Sequence, residues 1–328
     1  MFDVFDVLGI TQLMSWGKEV LGIKSKYASN QITPKKYSFR PRNLEEYIGQ
    51  ENAKELINLN IQKILTIKPV HFIISGSAGH GKSTLAYIIA NMTKFKIHTY
   101  IGGSFTMENL QDFLVKNADG EPNILFIDEI HGLPKELAEF LYPLVEDFIL
   151  PLGNIKVRPF IFIGATTDKN ILLKRFNPLV DRCGCQINLS HYKAEDIKRI
   201  LKQYNDQIYQ VNIEEEIYNI LSVNTRYNPR ISIALFDDYM ICQDIQKVLK
   251  AHRIIKNSLT TDDILIMEHL LEINKPVGVE TLAIIIQQTK QDYQTLIEPF
   301  LIQQGYLSRT ARGRVITEKS KKLLQKIK

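Results

Sequence analysis

The chain has 328 residues, 45% hydrophobic and 23% charged, the balance of an ordinary globular protein long enough for two or three domains. Three cysteines, with no histidine pair at ligand spacing, exclude a disulfide framework and a Cys/His metal site, and they suit a reducing cytoplasm. No apolar run approaches the ~18 residues of a membrane span, and the net charge of +5 is unevenly placed, because residues 305–328 set eight basic side chains against one acid.

Residues 1–23 are rich in Phe, Val, Leu and Ile, carry the only Trp (Trp16), and read as an amphipathic helix before a polar linker at 24–36. They do not read as a signal peptide, since Asp3 and Asp6 stand where positive charge belongs. The apolar run at 71–74 then predicts a buried strand. It leads into Gly76-Ser77-Ala78-Gly79-His80-Gly81-Lys82-Ser83, followed by Thr84 and a helical pattern to residue 94. This is the phosphate-loop pattern in its strand–loop–helix setting. Its glycines let backbone N–H groups close around phosphate oxygens at a positive helix end. Lys82 would reach the β- and γ-phosphates, and the Ser83 hydroxyl would ligate Mg²⁺.

A strand candidate at 96–101 precedes Ile124-Leu125-Phe126-Ile127-Asp128-Glu129. Four apolar residues ending in two acids predict a buried parallel strand with the carboxylates at its ligand-bearing end. Asp128 would hold the metal shell and Glu129 would polarise the attacking water, so the chain is expected to bind and hydrolyse a nucleotide. A further buried strand at 160–163 ends near Thr166 and Thr167, where a hydroxyl can meet the γ-phosphate or the water; Thr167 is favoured. From Ala194 apolar residues recur at helical spacing, first Ile197, Ile200 and Leu201, then Ile217, Ile220 and Leu221. Arg230 follows Asn228-Pro229 at a helix start, a place the helix dipole makes unfavourable for a cation unless an anion sits there. Three short helical segments and a basic, glycine-containing end close the chain.

Phe39-Arg40-Pro41-Arg42 with Leu44-Glu45-Glu46-Tyr47-Ile48-Gly49-Gln50, just ahead of a phosphate loop, resembles the start of an AAA+ module. More narrowly the chain resembles RuvB, the family of motors that drive Holliday-junction branch migration. The likeness runs through Ile130-His131, Leu141-Tyr142-Pro143 with Glu146-Asp147-Phe148, and Ile163-Gly164-Ala165-Thr166-Thr167. It is strongest in the block from Ile297-Glu298-Pro299-Phe300 to Gly305-Tyr306-Leu307 and in Arg309-Thr310-Ala311-Arg312-Gly313-Arg314, and it covers residues 39–318.

The resemblance implies an α/β fold: a P-loop AAA+ module with a parallel sheet and helices on both faces (37–190), a small helical lid (191–257) and a C-terminal winged-helix DNA-binding domain (258–328), after the segment 1–36. It implies ATP and Mg²⁺, duplex or branched DNA, and a homo-oligomer, by likeness a hexameric ring. Carried over to this sequence, Thr167 takes the sensor-1 role and Arg230 the sensor-2 role. Arg182 becomes the arginine finger placed on a neighbouring subunit's γ-phosphate. Phe39, Arg40, Tyr47, Ile48, Gly79, Gly81, Thr84, Glu146, Asp147, Phe148 and Tyr192 become nucleotide neighbours, and Arg309 and Arg314 DNA contacts. Two other readings stand beside the motor: a DNA-bound ATP switch such as a clamp or helicase loader, and a non-hydrolysing adaptor. Asp128, Glu129 and Arg182 argue against the adaptor, and the terminal block argues against a loader.

The sequence also departs from the family. Val180 and Cys183 replace an Arg and a Phe around the finger, Ser77-Ala78 replaces Pro-Pro in the loop, and Asp168 replaces an Arg. Residues 149–159 leave only a stub where RuvB carries the β-hairpin that docks its partner RuvA. A standard RuvA is therefore expected to bind weakly at best.

Overall fold

The computed structural model describes residues 38–118, 122–151 and 153–327; the segment 1–36 and Leu152 lie outside the described residues. Helix α1 (Glu51–Thr66) precedes β1 (Phe72–Ser75), and α2 (Lys82–Thr93) leaves the phosphate loop. Then follow β2 (Lys96–Ile101), α3 (Met107–Ala118), β3 (Asn123–Asp128), α4 (Lys135–Glu146), a minimal hairpin of β4 (Ile149–Leu150) and β5 (Ile155–Lys156), β6 (Ile161–Thr166), α5 (Lys169–Arg182) and β7 (Cys185–Asn188). Five strands form one parallel sheet in the order β2-β3-β6-β1-β7.

The central strands β1, β3 and β6 are mostly apolar because successive side chains point to opposite faces and helices cover both, whereas edge strand β2 is largely polar. Phe72, Ile74, Phe126 and Ile163 pack with Ile57, Leu85 and Ile89 of α1 and α2. Ile73, Leu125, Ile127 and Phe162 face the other way, onto Leu110, Phe113, Leu141 and Leu172 of α3 to α5. Register then lines up the strand ends. Ser75 lies beside Thr166, and Ile127 beside Gly164, so the phosphate loop, Asp128 and Thr166 leave the sheet along one edge. Cys183 is buried in the second core, filling space there rather than facing a ligand.

Four helices follow: α6 (Ala194–Ile208), α7 (Glu215–Val223), α8 (Pro229–Cys242) and α9 (Ile245–Ala251). They close around Leu201, Leu221, Leu235 and Phe236. Asn228 caps α8 by accepting from the backbone N–H groups of Arg230 and Ile231, and Pro229 occupies the first turn, where no N–H is needed.

The last core joins α10 (Thr261–Ile273), α11 (Val279–Ile285), a π turn at Tyr293–Ile297 that follows α12 (Lys290–Asp292), and α13 (Glu298–Gln303). Pro299 has no N–H to give to the preceding turn, which accounts for the wide backbone just before it. Strands β8 (Ile254–Lys256) and β9 (Leu259–Thr260) lead in, and the antiparallel wing, β10 (Leu307–Thr310) and β11 (Gly313–Ile316), follows. Val277 bridges to Arg314, and a Cβ on Gly313 (φ 143°) would meet the Val277 carbonyl oxygen at 2.4 Å, so only glycine lets the wing close there. The basic end is no solvated tail. It forms α14 (Glu318–Ile327), which seats Leu324 in the core and donates from Ser320 Oγ to the Tyr306 carbonyl at 2.6 Å.

Candidate nucleotide site and nucleic-acid surface

A cavity of ≈ 370 Å³ lies between the phosphate loop and α6 and α8. Of the residues expected to meet nucleotide, Phe39, Arg40, Tyr47, Ile48, Gly79, Gly81, Lys82, Ser83, Thr84, Asp128, Glu129, Tyr192 and Arg230 line it. Glycine at 79 (φ 79°) is required from outside the loop: a Cβ there would lie 2.4 Å from Asn228 Oδ1. Tyr47 and Tyr192 are buried beneath the loop. Tyr47 donates to the His80 carbonyl at 3.0 Å, and Tyr192 to that carbonyl at 3.3 Å and to Tyr47 Oη at 3.1 Å. Arg40 stacks on Tyr87, 4.4 Å from the ring centre.

Lys82 is folded back, donating to the Gly76 and Ser77 carbonyls at 2.8 and 3.2 Å. Burial lowers its pKa, and Glu129 and Asp128 pull it back up while Arg230 pushes it down further. Ser83 Oγ donates to Asp128 Oδ2 at 2.8 Å, which brings a hydroxyl from the first turn of α2 together with a carboxylate from the end of β3. Two hard oxygen donors of this kind suit Mg²⁺ with water and phosphate completing the shell.

Glu129 adopts a left-handed backbone (φ 47°), a conformation non-glycine residues keep at a cost where the surroundings enforce it. Its Oε2 accepts from Thr167 N at 3.1 Å and Thr167 Oγ1 at 2.8 Å, so Thr167 is tied to the carboxylate that would orient water. Thr166 is turned inward, accepts from Asp168 N at 3.0 Å and lies 3.0 Å from His131 Nδ1. His131 in turn stands 3.2 Å from Glu129 Oε2. It was not among the expected site residues, and its position next to the two acids in sequence was the available signal.

Glu146, Asp147, Phe148 and Arg182 are not brought to this chain's own cavity. Phe148 is packed against His71 and Phe160. Arg182 donates from Nε to Glu146 Oε2 at 2.7 Å and from Nη1 to the Pro178 carbonyl at 2.7 Å, on the outside of the module. Residues the sequence reading missed come mostly from the helical lid: Ile200, Gln203, Tyr204 and Ile233 line the cavity. Asn228 donates from Nδ2 to the Ala78 carbonyl at 2.8 Å, fastening α8 to the phosphate loop.

The two wing arginines, expected as DNA contacts, are already paired within the fold. Both are turned onto Glu298, which is fully buried. Arg309 donates to its two oxygens at 3.1 and 2.6 Å, and Arg314 also grips both. Arg314 is 15% exposed and Arg309 57%, so the wing offers Arg309, with the exposed Arg312 at its turn, and keeps Arg314 inside. Burial pushes the Glu298 carboxyl up, and the two guanidiniums outweigh it, leaving the pKa below the ordinary value.

Known proteins match this arrangement along most of its length. The family described as "Holliday junction DNA helicase RuvB P-loop domain" matches residues 39–189, and the "RuvB C-terminal winged helix domain" matches 256–325. The RuvB branch migration complex subunit of Acholeplasma laidlawii is 35% identical over 311 residues, 87% of this chain and 90% of that protein. That of Mycoplasmopsis pulmonis is 33% identical over 319 residues, covering 89% and 99%. The solved Thermotoga maritima RuvB branch migration motor superposes with a TM-score of 0.74 at 31% identity, covering 87% of this chain and 98% of that one. The Aeropyrum pernix ORC2 protein, at 13% identity and a TM-score of 0.52, shares the fold.

Proposed function

The chain belongs to the RuvB family of P-loop ATPases, and from that membership we propose that it is an ATP-driven motor moving branched DNA. The observation that carries this reading is the joining of Ser83 with Asp128 and of Thr167 with Glu129 at one sheet edge, beside a cavity of ≈ 370 Å³. In this reading ATP lies between the phosphate loop and α8. Lys82 exchanges the Gly76 and Ser77 carbonyls for β- and γ-phosphate oxygens. Ser83 and Asp128 would hold Mg²⁺, which neutralises phosphate charge when bound. Glu129 orients the attacking water while Thr167 fixes the carboxylate, and Arg230 approaches the phosphates from the lid. Arg182 serves the site of a neighbouring subunit, which makes hydrolysis a property of the ring, taken here as a hexamer in the cytoplasm. The wing, with Arg309 and Arg312 outward, meets the phosphate backbone of duplex DNA.

The hairpin of β4 and β5 pairs only Ile149 with Lys156 and Leu150 with Ile155. We therefore also propose that a standard RuvA docks poorly on it, because a stub offers little area for a central apolar anchor. Purified protein should hydrolyse ATP and migrate a synthetic four-way junction. Glu129→Gln should keep nucleotide binding and stop turnover, and Lys82→Ala should lose binding. Full ATPase activity in Glu129→Gln would sink the role given to that residue.

A further inference from the structure

Arg226 lines neither the nucleotide cavity nor the wing, yet it is held from four directions. Its backbone N–H donates to Ser258 Oγ at 2.6 Å. Its guanidinium donates to the Leu296 carbonyl at 2.6 Å and to Asp263 Oδ2 at 2.7 Å, and lies 4.7 Å from the centre of the Phe300 ring. Ser258, Asp263, Leu296 and Phe300 all lie with or beside the winged-helix core, while Arg226 itself leads into α8. Asp263 is fully buried; its Oδ2 also accepts from Thr260 N and Oγ1 at 2.8 and 2.9 Å, its Oδ1 has no hydrogen-bond partner among the described residues, and Arg226 is the cation that answers its charge.

Two residues further on, Asn228 fastens to the Ala78 carbonyl in the phosphate loop. The step between the two attachments is stiff. Arg226 (φ 51°) and Tyr227 (φ 53°) are consecutive left-handed residues, and such a backbone persists where its surroundings fix it. Thr225 adds to this by accepting from Ser232 Oγ at 2.6 Å and, through its carbonyl, from Asn228 N at 3.0 Å. On the far side, Leu296 and Phe300 flank Glu298, the residue that grips Arg309 and Arg314.

We propose that Arg226 is a positioning residue that couples the nucleotide state of the phosphate loop to the placement of the winged helix, and so to DNA affinity. This rests on the ATP and DNA reading above. A shift of Ala78 on nucleotide exchange moves Asn228, the stiff step carries that motion to Arg226, and the two-point guanidinium grip turns α10 and the Leu296–Phe300 segment with it. Arginine suits the task better than lysine, because its planar fork fixes direction as well as charge. A shared path alone does not establish coupling; the measure is the ratio of affinities.

The experiment measures four-way-junction affinity by anisotropy, with ADP and with a non-hydrolysable ATP analogue, for wild type, Arg226→Lys and the doubly neutral Arg226→Gln/Asp263→Asn. Wild type should show a ratio of about fivefold or more between nucleotides. Both variants should bring the ratio to within about twofold of unity while binding nucleotide alone as tightly as wild type. An unchanged ratio in Arg226→Lys, or a wild-type ratio of one, would overturn the proposal. So would loss of nucleotide binding or of cooperative melting in both variants, since Arg226 would then serve the fold alone. Failure of the wild type to bind ATP or junction DNA at all would instead strike the functional reading.

Discussion

Two arginine–glutamate pairings, one on the rim of the ATPase module and one under the wing, use the same chemistry to opposite ends. In the first, Arg182 is 30% exposed and Glu146 51%, a pair the solvent already screens. Such a pair is worth little, about 0–1 kcal/mol, and can be given up for a stronger anion. In the second, Glu298 is fully buried and holds two guanidiniums at once. Removing one partner there leaves a buried carboxylate under-compensated, with a single guanidinium to answer it, at a cost of up to about 3–5 kcal/mol. Arg182, proposed to reach a neighbouring site, rests on an exposed acid, whereas Arg314 is locked on a buried one.

The largest expected effect tests the first half of that comparison. Arg182→Ala should lower ATP turnover by about a thousandfold or more, since a finger meets charge that develops only during transfer. Because the residue stands away from its own chain's cavity, mixing Arg182→Ala with Lys82→Ala subunits should restore part of the activity through interfaces that keep both parts intact. Glu146→Gln, which only frees the finger, should retain most activity. Absence of rescue at every mixing ratio, with assembly confirmed by sedimentation, would place the finger elsewhere.

Next in size is the buried clamp. Arg314→Ala should destabilise the winged-helix unit by about 3 kcal/mol, visible as an earlier melting transition, because Glu298 loses a partner it cannot exchange for water. Arg309→Ala should cost the fold less, Arg309 being the more exposed partner, and should lower the slope of log affinity against log salt by about one phosphate contact. If Arg314→Ala left melting unchanged and lowered the salt slope instead, the distinction between the two arginines would collapse.

That distinction also marks what could be read from sequence. Lys82, Ser83, Asp128 and Glu129 were legible because phosphate chemistry needs them within short motifs, and the sheet only had to bring a loop-to-helix start beside a strand end. The wing arginines were legible as wing residues but not as partners of Glu298, because burial is set by packing of the π turn and α13 against β10. The attachment of Asn228 to Ala78 spans 150 positions and left as its only trace an asparagine before proline at a helix start. Helix α14 was hidden for another reason: its lysines dominate the composition, while few apolar residues, Leu324 chief among them, pin it to the core.

The smallest effect concerns an ionisable group that has neither an exposed nor a buried counter-charge. His71 is buried between β1 and β6, where its Nδ1 accepts from Phe162 N at 2.9 Å, and burial lowers its pKa to about 4. It is therefore neutral in the fold, whereas in the unfolded chain it binds a proton below about pH 6.5. Between those values the unfolded state holds more protons, so stability is complete above the unfolded value and falls as the pH drops toward the folded one. Lowering the pH from 7 to 5 should cost the parallel-sheet unit on the order of 1–2 kcal/mol through this side chain. His80, also lowered to about 4 by burial and by its neighbours His191 and Lys82, should add to the same slope. Substituting asparagine keeps an acceptor near the Nδ1 position and removes the titration, so His71→Asn should melt with a visibly flatter pH dependence than wild type over this range. An identical slope in the two proteins would mean that His71 escapes its burial before the module unfolds.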